Sequence, residues 1–217
     1  MLRWERARDL AAVIDCVLED SVVGRAVDPK RIGAVGFSLG GYTVLEVAGA
    51  RTDLAALGRF CASHPGECSA PPEFPDPEAQ FERPVRNDAE VRASLKRAGD
   101  SYREGRVRAV FAIAPELGHS FTEGGLAQVE VPVQIIVGDA DSIAPATASA
   151  AYCAQGIKGA RLDVLPRVGH YTFLALPTAK AKAERPSLAV DLPGVDRAVI
   201  HAQVAQMAAE FFERNLR

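Results

Sequence analysis

The chain has 217 residues, 48% hydrophobic and 24% charged, which is enough apolar surface for a sizeable core in one large domain or two small ones. The 25 basic and 28 acidic residues give a formal charge of -3, and no basic stripe is present to neutralise nucleic-acid phosphates. The longest apolar runs, such as Ala109 to Ala114 and Val131 to Val137, fall far short of the roughly 20 residues of a membrane-spanning helix, so no nucleic acid and no membrane span is expected.

From Trp4 to Leu18 apolar residues recur at three-and-four spacing (Trp4, Ala7, Leu10, Ala11, Ile14, Val17, Leu18), which predicts an amphipathic helix. The N-terminus runs straight into this charged pattern with no apolar signal core; as written the chain reads as cytoplasmic, and its localisation is left open. Asp28-Pro29 marks a turn, Ile32 to Phe37 is a short apolar strand, and a helix is predicted from Leu39 to Ala50. Six of the chain's 14 prolines (Pro65, Pro71, Pro72, Pro75, Pro77, Pro84) fall between Cys61 and Pro84. Proline breaks both helix and ladder, so this stretch reads as an irregular insertion. Helical spacing returns from Asp88 to Tyr102, followed by strands at Val107 to Ala114, Val133 to Val137 and Arg161 to Leu165. An Ala-rich helix is predicted over Pro145 to Ala154, and Ile200, Val204, Met207, Ala208 and Phe211 mark a terminal helix. Apolar strands alternating with helices imply an α/β domain with a parallel sheet, helices on both faces and ligands at the carboxyl ends of the strands.

Chemistry concentrates at those strand ends. Gly36-Phe37-Ser38-Leu39-Gly40 matches G-x-S-x-G between a strand and a helix, where a strained turn presents a serine hydroxyl. Glycines at 36 and 40 are expected to let the turn tighten until the backbone N–H of Leu39 serves as an oxyanion donor. The competing reading is a glycine-rich phosphate turn or a plain strand end. A serine is a weak nucleophile without a base and an orienting acid. His170, in the loop after the last strand, is the candidate base; His64, His119 and His201 read as solvated or packed imidazoles. Asp139 and Asp141 compete for the acid, and either one gives the chain order Ser, Asp, His.

Four cysteines make no disulfide scaffold, and none pairs at C-x-x-C spacing. Cys61, His64 and Cys68 could form three metal ligands, but no fourth is evident and serine chemistry needs no metal. A local disulfide or two free thiols rank above zinc, and no cofactor is expected.

Taken together, Asp28 to Gly41, the G-x-x-D-x-x-x-P of Gly138 to Pro145, Val168 to Leu174 and Pro193 to Arg197 resemble the α/β-hydrolases. Within them they resemble the predicted dienelactone hydrolases, which are similar to platelet-activating-factor acetylhydrolases. The resemblance covers nearly the whole chain and implies Ser38 as nucleophile, His170 as base and Asp141 as acid. Well-characterised dienelactone hydrolases use a cysteine nucleophile where this chain has serine. The resemblance also implies further strands before the first helix, so 1–217 is expected to be a single, N-terminally incomplete hydrolase domain with an insertion at 61–100 lining the pocket. A lost oxyanion donor would cost about 2.7 to 4 kcal/mol of transition-state stabilisation, and an uncovered edge strand would favour a homo-oligomer. The expected activity is hydrolysis of a small carboxylic ester or lactone through an acyl-enzyme. The alternatives are a catalytically silent, partner-binding or self-associating module, and an acyltransferase using the same triad.

Overall fold

The computed structural model describes residues 2–65, 68, 82 and 84–217. Among them, β1 (Ile32–Phe37), β2 (Val107–Ile113), β3 (Val133–Gly138) and β4 (Arg161–Leu165) form a parallel sheet in the order β1-β2-β3-β4. Around it lie α1 (Glu5–Glu19), α2 (Leu39–Ala48), α3 (Leu54–Ser63), α4 (Ala89–Lys96), α5 (Glu123–Leu126), α6 (Ala150–Gly156), α7 (Ala179–Glu184), α8 (Pro186–Ala189) and α9 (Arg197–Asn215).

The two-residue period of a strand explains how β2 is buried on both sides. Val110 and Ala112 join Ala34, Ile135 and Val137 in a core with Ala7 of α1, α2 and Cys153 of α6. Ala109 and Phe111 point the other way, into a second core with Ile136, Leu165 and, from α9, Val204 and Phe211. Helices therefore cover both faces of the central strands, as parallel sheets require. The edge strands are less protected: Val35 of β1 is 58% exposed and Val164 of β4 is 47% exposed.

All four predicted strands are present; α3, α5, α7 and α8 had no counterpart in the sequence reading, and the predicted helices depart from it at their ends. α2 stops at Ala48 because Gly49, at φ 120°, turns its N–H back to the carbonyls of Leu45 and Glu46. The helix expected over Asp88 to Tyr102 ends at Lys96, since the Arg97-Ala98-Gly99-Asp100 segment folds into turns instead. α6 begins at Ala150 rather than Pro145 because Ser149 is non-helical and its side chain bonds to the 115–118 loop. Cys61 belongs to α3, which Asp53 caps by accepting the N–H of Ala55 at 2.8 Å. The predicted insertion thus begins inside a helix and runs into α4 within its last residues, 89–100. Residues 66–67, 69–81 and 83 of that insertion, with Pro71, Pro72, Pro75 and Pro77, lie outside the described residues. Cys61 and Cys68 form a disulfide, which decides between the alternatives left open by the sequence. Among the described residues no group of side chains could hold a metal ion.

One polar group stands out in the larger core. Glu46 is fully buried on α2, where Oε1 accepts hydrogen bonds from Tyr42 (2.7 Å) and Thr52 (2.8 Å). Its Oε2 has no hydrogen-bond partner. Burial pushes the Glu46 carboxyl up to about 7, against the opposing pull of Tyr42, Thr52 and the Arg3 cation. Between the unfolded carboxyl value and 7 the native state holds a proton that the unfolded chain has lost, so this group makes stability fall as pH rises. We expect Glu46→Gln to flatten that slope. Comparing chemical denaturation at pH 5 and pH 8, the parent should lose about 2.5 kcal/mol more than the variant; equal losses would mean that the Glu46 carboxyl is already ionised in the core at pH 5, as it is in the unfolded chain.

Candidate active site

The end of β1 carries the unusual backbone. Ser38 has φ 57° and ψ -121°, a conformation that a non-glycine residue adopts only when its surroundings enforce it. The enforcement comes from β2, because the Ser38 N–H donates to the carbonyl of Ile113 at 2.9 Å. The Ser38 carbonyl accepts from Tyr42 and from Glu116. A Cβ on Gly36 would lie 2.1 Å from the carbonyl oxygen of Gly40, so position 36 admits no side chain. The expectation that Gly40 has the same steric role is corrected, since a Cβ there would meet nothing within 4 Å. Leu39 opens α2, where helix geometry leaves its N–H without an intrahelical acceptor.

The acid and histidine loops meet at Gly138, where a Cβ would lie 1.8 Å from the carbonyl oxygen of Val168. Ala140 donates to that same carbonyl, and Asp139 N–H donates to Leu165 at the end of β4. Only a glycine lets the loops after β3 and β4 run this close, and their contact brings Asp141 to His170. Asp141 is buried, and its Oδ1 accepts the N–H groups of Ile143 (2.9 Å) and Ala144 (2.7 Å). Its other oxygen is 2.7 Å from Nδ1 of His170, and Nε2 of His170 is 2.9 Å from Oγ of Ser38. With Nδ1–H donating to Asp141, Nε2 is left to accept the serine proton. The imidazole is 3% exposed and packs on Phe37, ring centroids 4.8 Å apart.

Of the competing carboxylates, Asp141 meets the imidazole, whereas Asp139 accepts the backbone N–H of Arg167. The other histidines are engaged elsewhere. His201 bonds the Thr172 carbonyl, His64 bonds Ser63, and His119 stacks between Phe60 and Tyr152. Cys153, the buried free thiol, is pushed up to about 12 by burial, which makes it a poor nucleophile.

Two features were not read from the sequence as parts of the site. The first is Glu116, whose carboxylate lies 3.8 Å from Nε2 of His170. The second is a buried network behind the histidine turn, His170–Phe173. Thr172 donates to Asp191 at 2.7 Å, and Arg197 donates to both Asp191 oxygens and to the carbonyls of Ala175 and Leu188. Burial works against the Asp191 carboxylate, but Arg197 and Thr172 outweigh it and hold its pKa below the ordinary carboxylate value.

Residues 2–184 match the alpha/beta hydrolase family. This chain belongs to that family. The four-stranded parallel sheet with helices on both faces accords with an α/β-hydrolase fold. A stretch of 59 residues, 27% of the chain, is 39% identical to Lipase 1 of a Moraxella species and covers 18% of that protein. Among solved structures, the dienelactone hydrolase of Anabaena variabilis superposes with a TM-score of 0.47 at 19% identity, over 97% of this chain and 60% of that one. A CIB-like hydrolase of Thermoplasma acidophilum gives 0.41 at 16% identity, over 93% of this chain and 59% of that one. The hydrolase chain thus spans about 60% of the length of these two structures. No described helix is long and apolar enough to cross a membrane.

The Asp191–Arg197 pair yields a direct expectation. Replacing Arg197 by Met leaves a buried carboxylate without its cation, a change that costs roughly 3 kcal/mol or more. Denaturant titration should read a loss of that size, and the His170 imidazole signals should broaden or shift in the NMR spectrum. An unchanged midpoint would mean that the network does not support the histidine turn.

Proposed function

We propose that this protein is a serine hydrolase that cleaves a small carboxylic ester or lactone through an acyl-enzyme, with Ser38 as nucleophile, His170 as base and Asp141 as acid. The observation that carries the reading is the continuous hydrogen-bonded line from Asp141 through His170 to the strained Ser38. Family membership and the local match to a lipase support the same chemistry. On this reading 1–217 acts as a single catalytic domain, and part of 61–100 walls its pocket.

The chemistry follows from the geometry. As Oγ of Ser38 attacks the carbonyl carbon, its proton passes to Nε2 of His170, and Asp141 stabilises the resulting imidazolium. The carbonyl oxygen gains the negative charge, which the N–H of Leu39 is placed to receive at the start of α2. Collapse breaks the bond to the alkoxide, which takes the proton from Nε2 and leaves as the alcohol, or remains tethered in a lactone. Water then repeats the attack on the acyl-serine, with Nε2 accepting its proton, and the acid is released.

The test is covalent labelling. A fluorophosphonate should add once, at Ser38, and Ser38→Ala should abolish the adduct. His170→Ala should prevent acylation, whereas His64→Ala and His201→Ala should not. Asp141→Asn favours the wrong imidazole tautomer, a change that lowers turnover about 10⁴-fold in serine proteases. A loss of that order is expected here, with a far smaller one for Asp139→Asn. A protein that takes no label yet associates with rising concentration would instead be a silent, self-associating module.

A further inference from the structure

The carboxylate of Glu116 lies beside the reacting atoms without belonging to the line that joins them. Its Oε1 is 3.8 Å from Nε2 of His170, the atom that Oγ of Ser38 approaches to 2.9 Å. The segment that presents it is built rather than loose. Ala114 (φ 43°) and Leu117 (φ 56°) both hold left-handed backbone without being glycine, which is strain that the surroundings must enforce. The enforcement is visible at the buried Ser149, whose hydroxyl donates to the carbonyl of Pro115 at 2.6 Å and accepts the N–H of Gly118 at 2.8 Å. Ala114 N–H donates to Ile136 in β3, and Glu116 N–H donates to the carbonyl of Ser38 itself. The nucleophile turn and the Glu116 backbone are therefore fixed to each other.

We propose that Glu116 is a specificity-determining residue that selects the alcohol half of the ester, favouring leaving groups with a cationic substituent close to the ester oxygen and rejecting anionic ones. The inference rests on the assignment of Ser38 and His170 given above. The departing alkoxide must collect its proton from Nε2, so its oxygen comes within about 3 Å of that atom. Its first few substituents then share a confined space with the Glu116 carboxylate, whose side chain is only 18% exposed. A unit charge at roughly 6 Å in such a partly buried place changes the transition-state free energy enough for a rate ratio on the order of tenfold. A charge on the acyl half, on the far side of the carbonyl carbon from Nε2, should count for less.

The test compares alcohol halves of one shape and different charge. Choline acetate ester and 3,3-dimethylbutyl acetate differ at one atom, a quaternary nitrogen in place of a carbon, and the acetate ester of 3-hydroxypropanoate supplies the anion. In the parent protein kcat/KM should favour the choline ester over the neutral isostere by about tenfold and should be lowest for the anion. Glu116→Gln should bring the first ratio close to one, and Glu116→Asp should retain part of it. Because each ratio is taken within one protein, a general loss of folding does not move it. A parent ratio near one, a preference that survives in Glu116→Gln, or a Ser38 that takes fluorophosphonate but is acylated by none of the three esters would each overturn the proposal. Failure of Ser38 to take fluorophosphonate at all would overturn the underlying hydrolase reading, and this inference with it.

Discussion

The contact between Asp141 and Nδ1 of His170 is the constraint on which the arrangement depends. At 2.7 Å, between two side chains that are almost wholly buried, it sets both the tautomer and the tilt of the imidazole. Everything near it serves to keep the two loops at that separation. Gly138 lets the loops after β3 and β4 touch, and the N–H groups of Ile143 and Ala144 occupy the other oxygen of Asp141. The carboxylate therefore has one direction left in which to accept. Behind the histidine, Thr172, Asp191 and Arg197 brace the turn from the opposite side.

The serine side of the site is held by a different device. A parallel sheet in sequential order places the carboxyl ends of β1, β2, β3 and β4 in a row, and the hydrogen-bonded Ser38, Asp141 and His170 follow the ends of β1, β3 and β4. β2 contributes no member of that line, yet it fixes Ser38 by receiving its N–H at Ile113. Its continuation, the strained 114–118 segment, returns to bond Ser38 from the other side. Of the four non-glycine residues with left-handed backbone among the described residues, Ser38, Ala114 and Leu117 lie where two strand ends clasp one residue, and the fourth, Arg167, follows β4. Strain of this kind persists only where neighbouring bonds over-determine the conformation.

How much of this was legible in the sequence follows from the range of each signal. The strands and Ser38 were readable because a buried parallel strand is a continuous apolar run and the nucleophile turn needs glycine two residues before the serine, both local requirements. His170 was readable from its place after the last strand. Asp141 was preferred to Asp139 from its place two residues further into the loop and from the resemblance, and it is the carboxylate that meets Nδ1 of His170. Glu116 was invisible, because a glutamate after a proline has no spacing rule and its position depends on Ser149, 33 residues later. The ends of α2, α4 and α6 were misjudged where a glycine turn or a side-chain bond outweighed helical propensity.

Glu46 shows why a polar group can be kept in a core where it is costly. The same area filled with apolar atoms would cost less than a carboxyl with one oxygen unsatisfied. What the group supplies is direction. Tyr42 and Glu46 lie one turn apart on α2, and both reach Thr52, whose backbone pairs with Phe121. Tyr42 also stacks on Phe121 with ring centroids 4.7 Å apart. Phe121 closes the segment that begins at the strained Ala114, so these bonds tie the helix that starts at Ser38 to the far end of the loop that carries Glu116. An apolar cluster would let α2 slide along its axis at little cost, whereas two hydrogen bonds to one carboxyl oxygen admit a single register. The buried acid thus sets the register of the helix that starts beside Ser38.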